Sequence, residues 1–287
     1  MSEGDGLRVG GGNAAEREFR SGVERVGYDH RGRLVFTVSP SAPSAGTVVF
    51  ASSLFAEFQR NYRREVVVAR ACADAGLASI RFHYRGVGNS IVDDPPSIAS
   101  MTDDLLEVAD QATAPVVFVG TRLGALAVAK ARATLDRPAI LIEPVLNGSR
   151  WVEEVIRAGL AREISQGSEV TADDFRHRWA DNGVAFVLGE TVPAAVVDEV
   201  GGFVLADIME GSTPVHLVQL GRNDRTRPDV GRFLETLHER GIPCEATPLV
   251  ARQSWWVNEG GDMFRPIEND PATLAIVDVI RSVGGGQ

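Results

Sequence analysis

The sequence is poor in several features that fix function elsewhere. It has two cysteines in 287 residues, Cys72 and Cys244, too few and too far apart for a disulfide framework or a metal-ligand cluster. Both lie in apolar surroundings and read as small core residues. No apolar run approaches the roughly 18 residues of a membrane span. The N-terminus, Met1 to Ala15, is Gly-rich and polar with no signal-peptide core, so a cytoplasmic protein is expected. Lys130 is the only lysine among 29 Lys and Arg residues, a bias of GC-rich bacterial genomes rather than a functional signal. The net charge of −10 with no basic tract argues against broad nucleic-acid binding. Histidine is scarce too, with five residues and none after His238. No motif calls for a metal or a cofactor.

What is present is core material, 44% hydrophobic residues, arranged as strands alternating with helices. Short strands are expected at Val23–Tyr28, Arg33–Val38, Thr47–Ala51 and Leu77–Phe82, with a helix over Arg60–Ala75 and another starting at Ser100-Met101-Thr102-Asp103. Val116–Val119 is a β-branched and aromatic run ending at Gly120. Gly124 then opens an Ala-rich helix, and Ala139–Glu143 is a further strand. The alternation breaks after Pro144. Trp151–Ile164 and a start at Thr171 read as helices, and Val184–Leu188 with Ala194–Val200 as a hairpin. It resumes with Val215–Leu220, Val230–Arg240, Cys244–Val250 and a last helix from Pro271, capped by Asp270. Alternation of this kind predicts a parallel sheet with crossover helices. The expected division is a disordered lead over 1–20, a core over 21–147 and 213–287, and an inserted cap over 148–212.

The strand, two-glycine turn and helix around Gly120-Thr121-Arg122-Leu123-Gly124 have the shape of a nucleophile elbow, G-x-S-x-G. Arg122 stands where Ser would, and arginine cannot be deprotonated to attack a carbonyl. The chain resembles the α/β-hydrolases of the serine-aminopeptidase-like branch. Within it, the chain is similar to hydrolases associated with exosortase systems, a subgroup linked with arginine at the elbow. The residues that carry this are Phe55-Ala56-Glu57, Arg63-Arg64, Arg81-Phe82-His83-Tyr84-Arg85-Gly86-Val87-Gly88-Asn89-Ser90, Gly120 to Ala125 and Glu143-Pro144-Val145. The resemblance implies the α/β-hydrolase fold, with a mostly parallel sheet of about eight strands, helices on both faces and an inserted cap. The chain departs from the wider branch at His83, where aspartate is usual, and at Ser52-Ser53.

An acyl hydrolase of this kind needs a nucleophile, a base, an acid and two oxyanion N–H groups. Asp224, after the strand Val215–Leu220, is the candidate acid, or else a turn former. The base belongs in the loop after the last strand, but residues 251–260 hold no histidine. A displaced pair of Ser52 or Ser53 with His83, oriented by Glu57 or Glu143, is one alternative; the other is that His83 only fixes the R-G-x-G turn. His30, His177, His216 and His238 read as structural. Arg122, Glu57 and Glu143 should converge at the sheet's carboxyl edge, either as an internal ion pair or as an anion site at a helix N-terminus. Phe55, Thr121, Trp255 and Trp256 are candidate substrate contacts. Two functions remain. One is an enzyme of bacterial specialised metabolism acting on an acyl or carboxylated small molecule or peptide by atypical chemistry, either unusual acyl chemistry or a non-hydrolytic step. The other is a catalytically silent binding or partner protein. The expected partner is a small molecule or peptide with an anionic group; a homodimer is compatible with the sequence.

Overall fold

The computed structural model describes residues 15–19, 22–92, 94–113, 115–251 and 271–284, the first of these as backbone only. In chain order they form β1 (Ala15–Phe19), β2 (Gly22–Tyr28), β3 (Leu34–Pro40), β4 (Thr47–Ala51), α1 (Phe55–Asp74), β5 (Ala78–Phe82), α2 (Ile98–Asp110), β6 (Val116–Thr121), α3 (Gly124–Arg132) and β7 (Ala139–Ile142). Then come α4 (Gly148–Ser165), α5 (Ala172–Asn182), β8 (Val184–Val187), β9 (Glu190–Pro193), α6 (Ala194–Gly201), α7 (Leu205–Ile208), β10 (Val215–Gly221), α8 (Pro228–Glu239), β11 (Cys244–Val250) and α9 (Pro271–Gly284).

Among the described residues the main sheet has nine strands in the order β1-β2-β3-β5-β4-β6-β7-β10-β11. Every pairing from β5 to β11 is parallel, and the β1, β2, β3 edge is antiparallel. Alternate side chains of each central strand enter two different cores. Val49, Phe118 and Leu141 face α2 and α3, and Val48, Val119 and Ile140 face α1 and α9. A strand covered on both sides must be apolar along its whole length, which is why β4, β6 and β7 read as continuous hydrophobic runs.

Strand order positions the site. From β4 the chain moves to β5 on one side, then returns through α2 to β6 on the other, with Ala51 opposite Gly120. The sheet's direction of growth reverses between β4 and β6, and such a switch point leaves a crevice at the strands' carboxyl ends. Ser52, Ser53 and Arg122 sit at that edge.

Several local boundaries differ from the sequence reading. Helix α1 begins at Phe55, so Glu57 lies in its first turn rather than in a loop; Leu54 caps it with no side-chain bond, so no polar signal marks the start. Helix α2 is capped by Ser97, with Ser100 as the reciprocal partner three residues on. The small hairpin closes at Leu188-Gly189, both at positive φ (54° and 91°) as a type I′ turn requires, so its second arm is Glu190–Pro193. Ala194–Gly201 is helix α6, begun by Pro193 as N-cap. Asp270 lies outside the described residues. The elements between β7 and β10 meet the rest of the chain through Glu199 on the Ile98 N–H and through Gln59 on Glu190. Among the described residues no helix is long and apolar enough to cross a membrane.

Candidate functional site

The turn at the end of β6 has the backbone of an elbow. Arg122 is held at φ 52°, in the left-handed region, where a side chain other than glycine costs of order 1–3 kcal/mol. Both flanking glycines are needed for space. A Cβ on Gly120 would lie 2.8 Å from the Ala125 Cα, and one on Gly124 only 1.9 Å from the Ala51 carbonyl oxygen. Gly124→Ala should therefore force α3 away from β4 and lower stability by about 3 kcal/mol or more. A melting temperature equal to the parent's would show that the turn is less tightly held than its geometry states.

The groups that meet at the elbow come from four segments. Glu57 is fully buried and receives the Arg122 Nε–H at 2.8 Å, the Ser53 hydroxyl at 2.5 Å and the Trp151 indole N–H at 3.3 Å. Arg122 Nη2 lies 2.8 Å from Glu57 and 2.5 Å from Glu154 of α4. Burial raises the Glu57 carboxyl above its ordinary range, while Arg122 and Ser53 pull it back. Burial alone would lower the Arg122 pKa, but Glu57 and Glu154 more than reverse that and hold the guanidinium charged. The Leu123 N–H, which in a hydrolase would be one of the two oxyanion donors, points at the Ser53 Oγ at 3.3 Å.

Glu143 follows β7 at φ 45°, and its carboxylate turns the other way. It accepts the Leu220 N–H at 2.5 Å and the Arg227 Nη1 at 3.1 Å on each oxygen. Its carbonyl oxygen lies 3.5 Å from Arg122 Nη1. Burial raises the Glu143 carboxyl and Arg227 opposes this. Arg122 and Glu143 line a cavity of about 570 Å³ over the ends of β6, β7 and β10. It is also lined by Pro144 to Asn147, by Arg150, Trp151 and Glu154 of α4, by Val204 and Ala206, and by Arg227 with Asp229, Arg232, Phe233 and Thr236 of α8.

The other sequence candidates are dispersed. Ser52 donates to the buried Glu65 at 2.5 Å, which Asn61 also holds at 2.8 Å. No serine hydroxyl bonds a histidine ring among the described residues; the Ser90 hydroxyl donates to the His83 carbonyl at 2.9 Å. His83 Nδ1 accepts the Asn89 N–H at 3.0 Å, which places the ring proton on Nε2. Its ring packs among Phe36, Phe58 and Tyr62. It therefore anchors the 83–90 turn. Thr121 is fully buried at the end of β6, and Phe55 is half-buried at φ 54°. Asp224 is exposed. Trp255 and Trp256 lie outside the described residues. Glu154, Trp151 and Arg227 were not singled out in the sequence. The spacing of Trp151 and Glu154, three apart on one helix face, was the available signal.

Burial, with Arg81 nearby, lowers the His83 pKa from 6.5 to about 4. The folded protein then holds fewer protons than the unfolded chain between those values, so this contribution is complete above pH 6.5 and lost as pH falls toward 4. At about 1.4 kcal/mol per pKa unit it amounts to roughly 3–3.5 kcal/mol. In His83→Gln, which keeps an acceptor for Asn89, urea unfolding stability should fall less steeply between pH 6.5 and 4. An unchanged slope would contradict a neutral buried ring.

No protein-family model matches the chain, and no curated protein matches it in sequence. Solved structures do match. Est1E from Butyrivibrio proteoclasticus aligns with a TM-score of 0.60 at 13% identity, over 93% of this chain and 100% of that one. Alpha/beta hydrolase domain-containing protein 10 from mouse gives 0.56 at 14% identity, over 96% and 99%. A thermostable carboxyl esterase from Bacillus coagulans gives 0.55 at 14%, over 94% and 99%. At such identities the likeness concerns architecture, and it agrees with the sheet order, the crossover helices and the elbow: the chain has the α/β-hydrolase fold.

Proposed function

We propose that this protein is a non-hydrolytic α/β-hydrolase-fold protein whose cavity binds a small molecule or peptide carrying an anionic group. One contrast carries the reading. The positions a serine hydrolase keeps for nucleophile and oxyanion are filled from within, by Arg122 paired to Glu57 and Glu154 and by Ser53 on the Leu123 N–H. Beside them a cavity of about 570 Å³ remains, within the usual range for small-molecule sites of about 300–1,000 Å³. Arg122, Arg150, Arg227 and Arg232 stand in its wall against Glu143, Glu154 and Asp229. Glu57 and Ser53, themselves outside the cavity lining, hold Arg122 and the Leu123 N–H from behind, and residues 148–212 serve as the cap over the cavity.

A second reading, atypical chemistry on an acyl or carboxylated substrate in specialised metabolism, draws on Glu154. Its carboxylate is 36% exposed beside Arg122 in the cavity wall, placed to exchange a proton with a bound substrate. Calorimetry against a panel of carboxylic acids and the neutral amides of the same skeletons tests the first reading. Acids should bind and amides should not, with no product formed. Binding confined to neutral compounds would sink it, and slow conversion of a bound acid would favour the second reading.

A further inference from the structure

Resting on that acidic-ligand reading, we propose that the ligand's carboxylate docks on Arg232 of α8, with an apolar body laid along Phe233, Leu146 and Val204. Of the cavity's arginines, Arg122 is engaged by Glu57 at 2.8 Å and Glu154 at 2.5 Å. Arg227 is engaged by Glu143 at 3.1 Å, and Arg150 lies 3.7 Å from Asp229. An anion arriving at Arg122 would have to displace Glu154 or sit between two like charges, which repel within about 4–6 Å. Arg232 is exposed, lines the cavity and makes no ion pair among the described residues.

The helix sets what lies next to it. Asp229, Arg232, Phe233 and Thr236 fall at i, i+3, i+4 and i+7 of α8 and all line the cavity. Asp229, the acid on that face, is within 3.4 Å of Arg227 and 3.7 Å of Arg150, so two cations offset its charge. Thr236 donates its hydroxyl proton to the Arg232 carbonyl at 3.0 Å, which leaves the guanidinium as the charged donor there. Its planar fork fits a carboxylate in a two-bond pose. Phe233, 4% exposed, and the apolar Leu146 and Val204 line the same cavity. A guanidinium adjoining an apolar wall selects an aliphatic or aryl carboxylate over a sugar or a polycation.

The test uses the full chain, with hexanoate and hexanol as probes, followed by ligand-observed NMR titration. Hexanoate should bind and hexanol should not. Arg232→Met should weaken hexanoate by about ten- to a hundred-fold with an unchanged melting temperature, because the side chain is exposed. Arg176→Met removes the same charge from the outer surface of α5 and should leave Kd alone. Hexanoate affinity unchanged in Arg232→Met, or lowered equally by Arg176→Met, overturns the inference while leaving the acidic-ligand reading intact. If neither hexanoate nor any acid of the calorimetric panel binds the parent protein, the reading itself fails, and this inference with it.

Discussion

Purified protein should turn over p-nitrophenyl acetate no faster than buffer plus nonspecific protein, and should not label with a fluorophosphonate. Loss of both nucleophile and base removes about 10⁶-fold in turnover in a serine hydrolase, leaving binding and oxyanion effects. Here the oxyanion effect is compromised too, because the Leu123 N–H already donates to the Ser53 Oγ. Arg122→Ser should not restore activity. The new hydroxyl would face Glu57 stripped of its main counter-ion, with no imidazole bonded at the elbow among the described residues. His83 is committed to the Asn89 N–H with its pKa lowered to about 4. The chain has no histidine after His238. Rapid turnover abolished by a serine-directed inhibitor would refute this and redirect attention to Ser52, Ser53 or Ser90.

The comparison of sequence with structure divides along a physical line. Elements whose signal is local were legible: the run Val116–Val119, the glycines at 120 and 124 and the Thr171 cap all sit where their chemistry places them. Starts without a polar signal were not, as at Phe55, where Leu54 offers no capping side chain. Partner choice was the least legible. Glu143 directly follows the strand beside that of Arg122 and by sequence is as good a partner as any, but Leu220 and Arg227 hold its carboxylate. The second carboxylate on Arg122 is Glu154, supplied by α4. Which of several acids reaches a given guanidinium depends on the docking of whole segments, and no spacing rule encodes it.

Arg122→Met should cost far more stability than Glu154→Gln, although both break an ion pair of the same guanidinium. The difference lies in what each leaves behind. Glu57 is fully buried, and without Arg122 it keeps only the Ser53 and Trp151 donors among its described partners. An uncompensated buried charge of this kind costs about 3–5 kcal/mol. Glu154 is 36% exposed, so water replaces much of what it loses, and Glu154→Gln should change stability by no more than about 1 kcal/mol. The double variant Arg122→Met with Glu57→Gln should recover much of the loss, because glutamine still accepts from Ser53 and Trp151 without a charge. Acidity gives an independent reading. With Arg122 gone, burial acts on Glu57 opposed mainly by the Ser53 hydroxyl and lifts its carboxyl further above the ordinary value of 4.5. The folded variant then binds the Glu57 proton at pH values where the unfolded chain has released it. Stability therefore falls as pH rises from about 4.5 through the folded pKa, so the deficit of Arg122→Met should be smaller at pH 5 than at pH 8. Urea unfolding of the three variants at both pH values decides the matter. Equal stability of Arg122→Met and its parent, or a deficit that grows toward acid pH, would mean that Arg122 is not the counter-ion of Glu57.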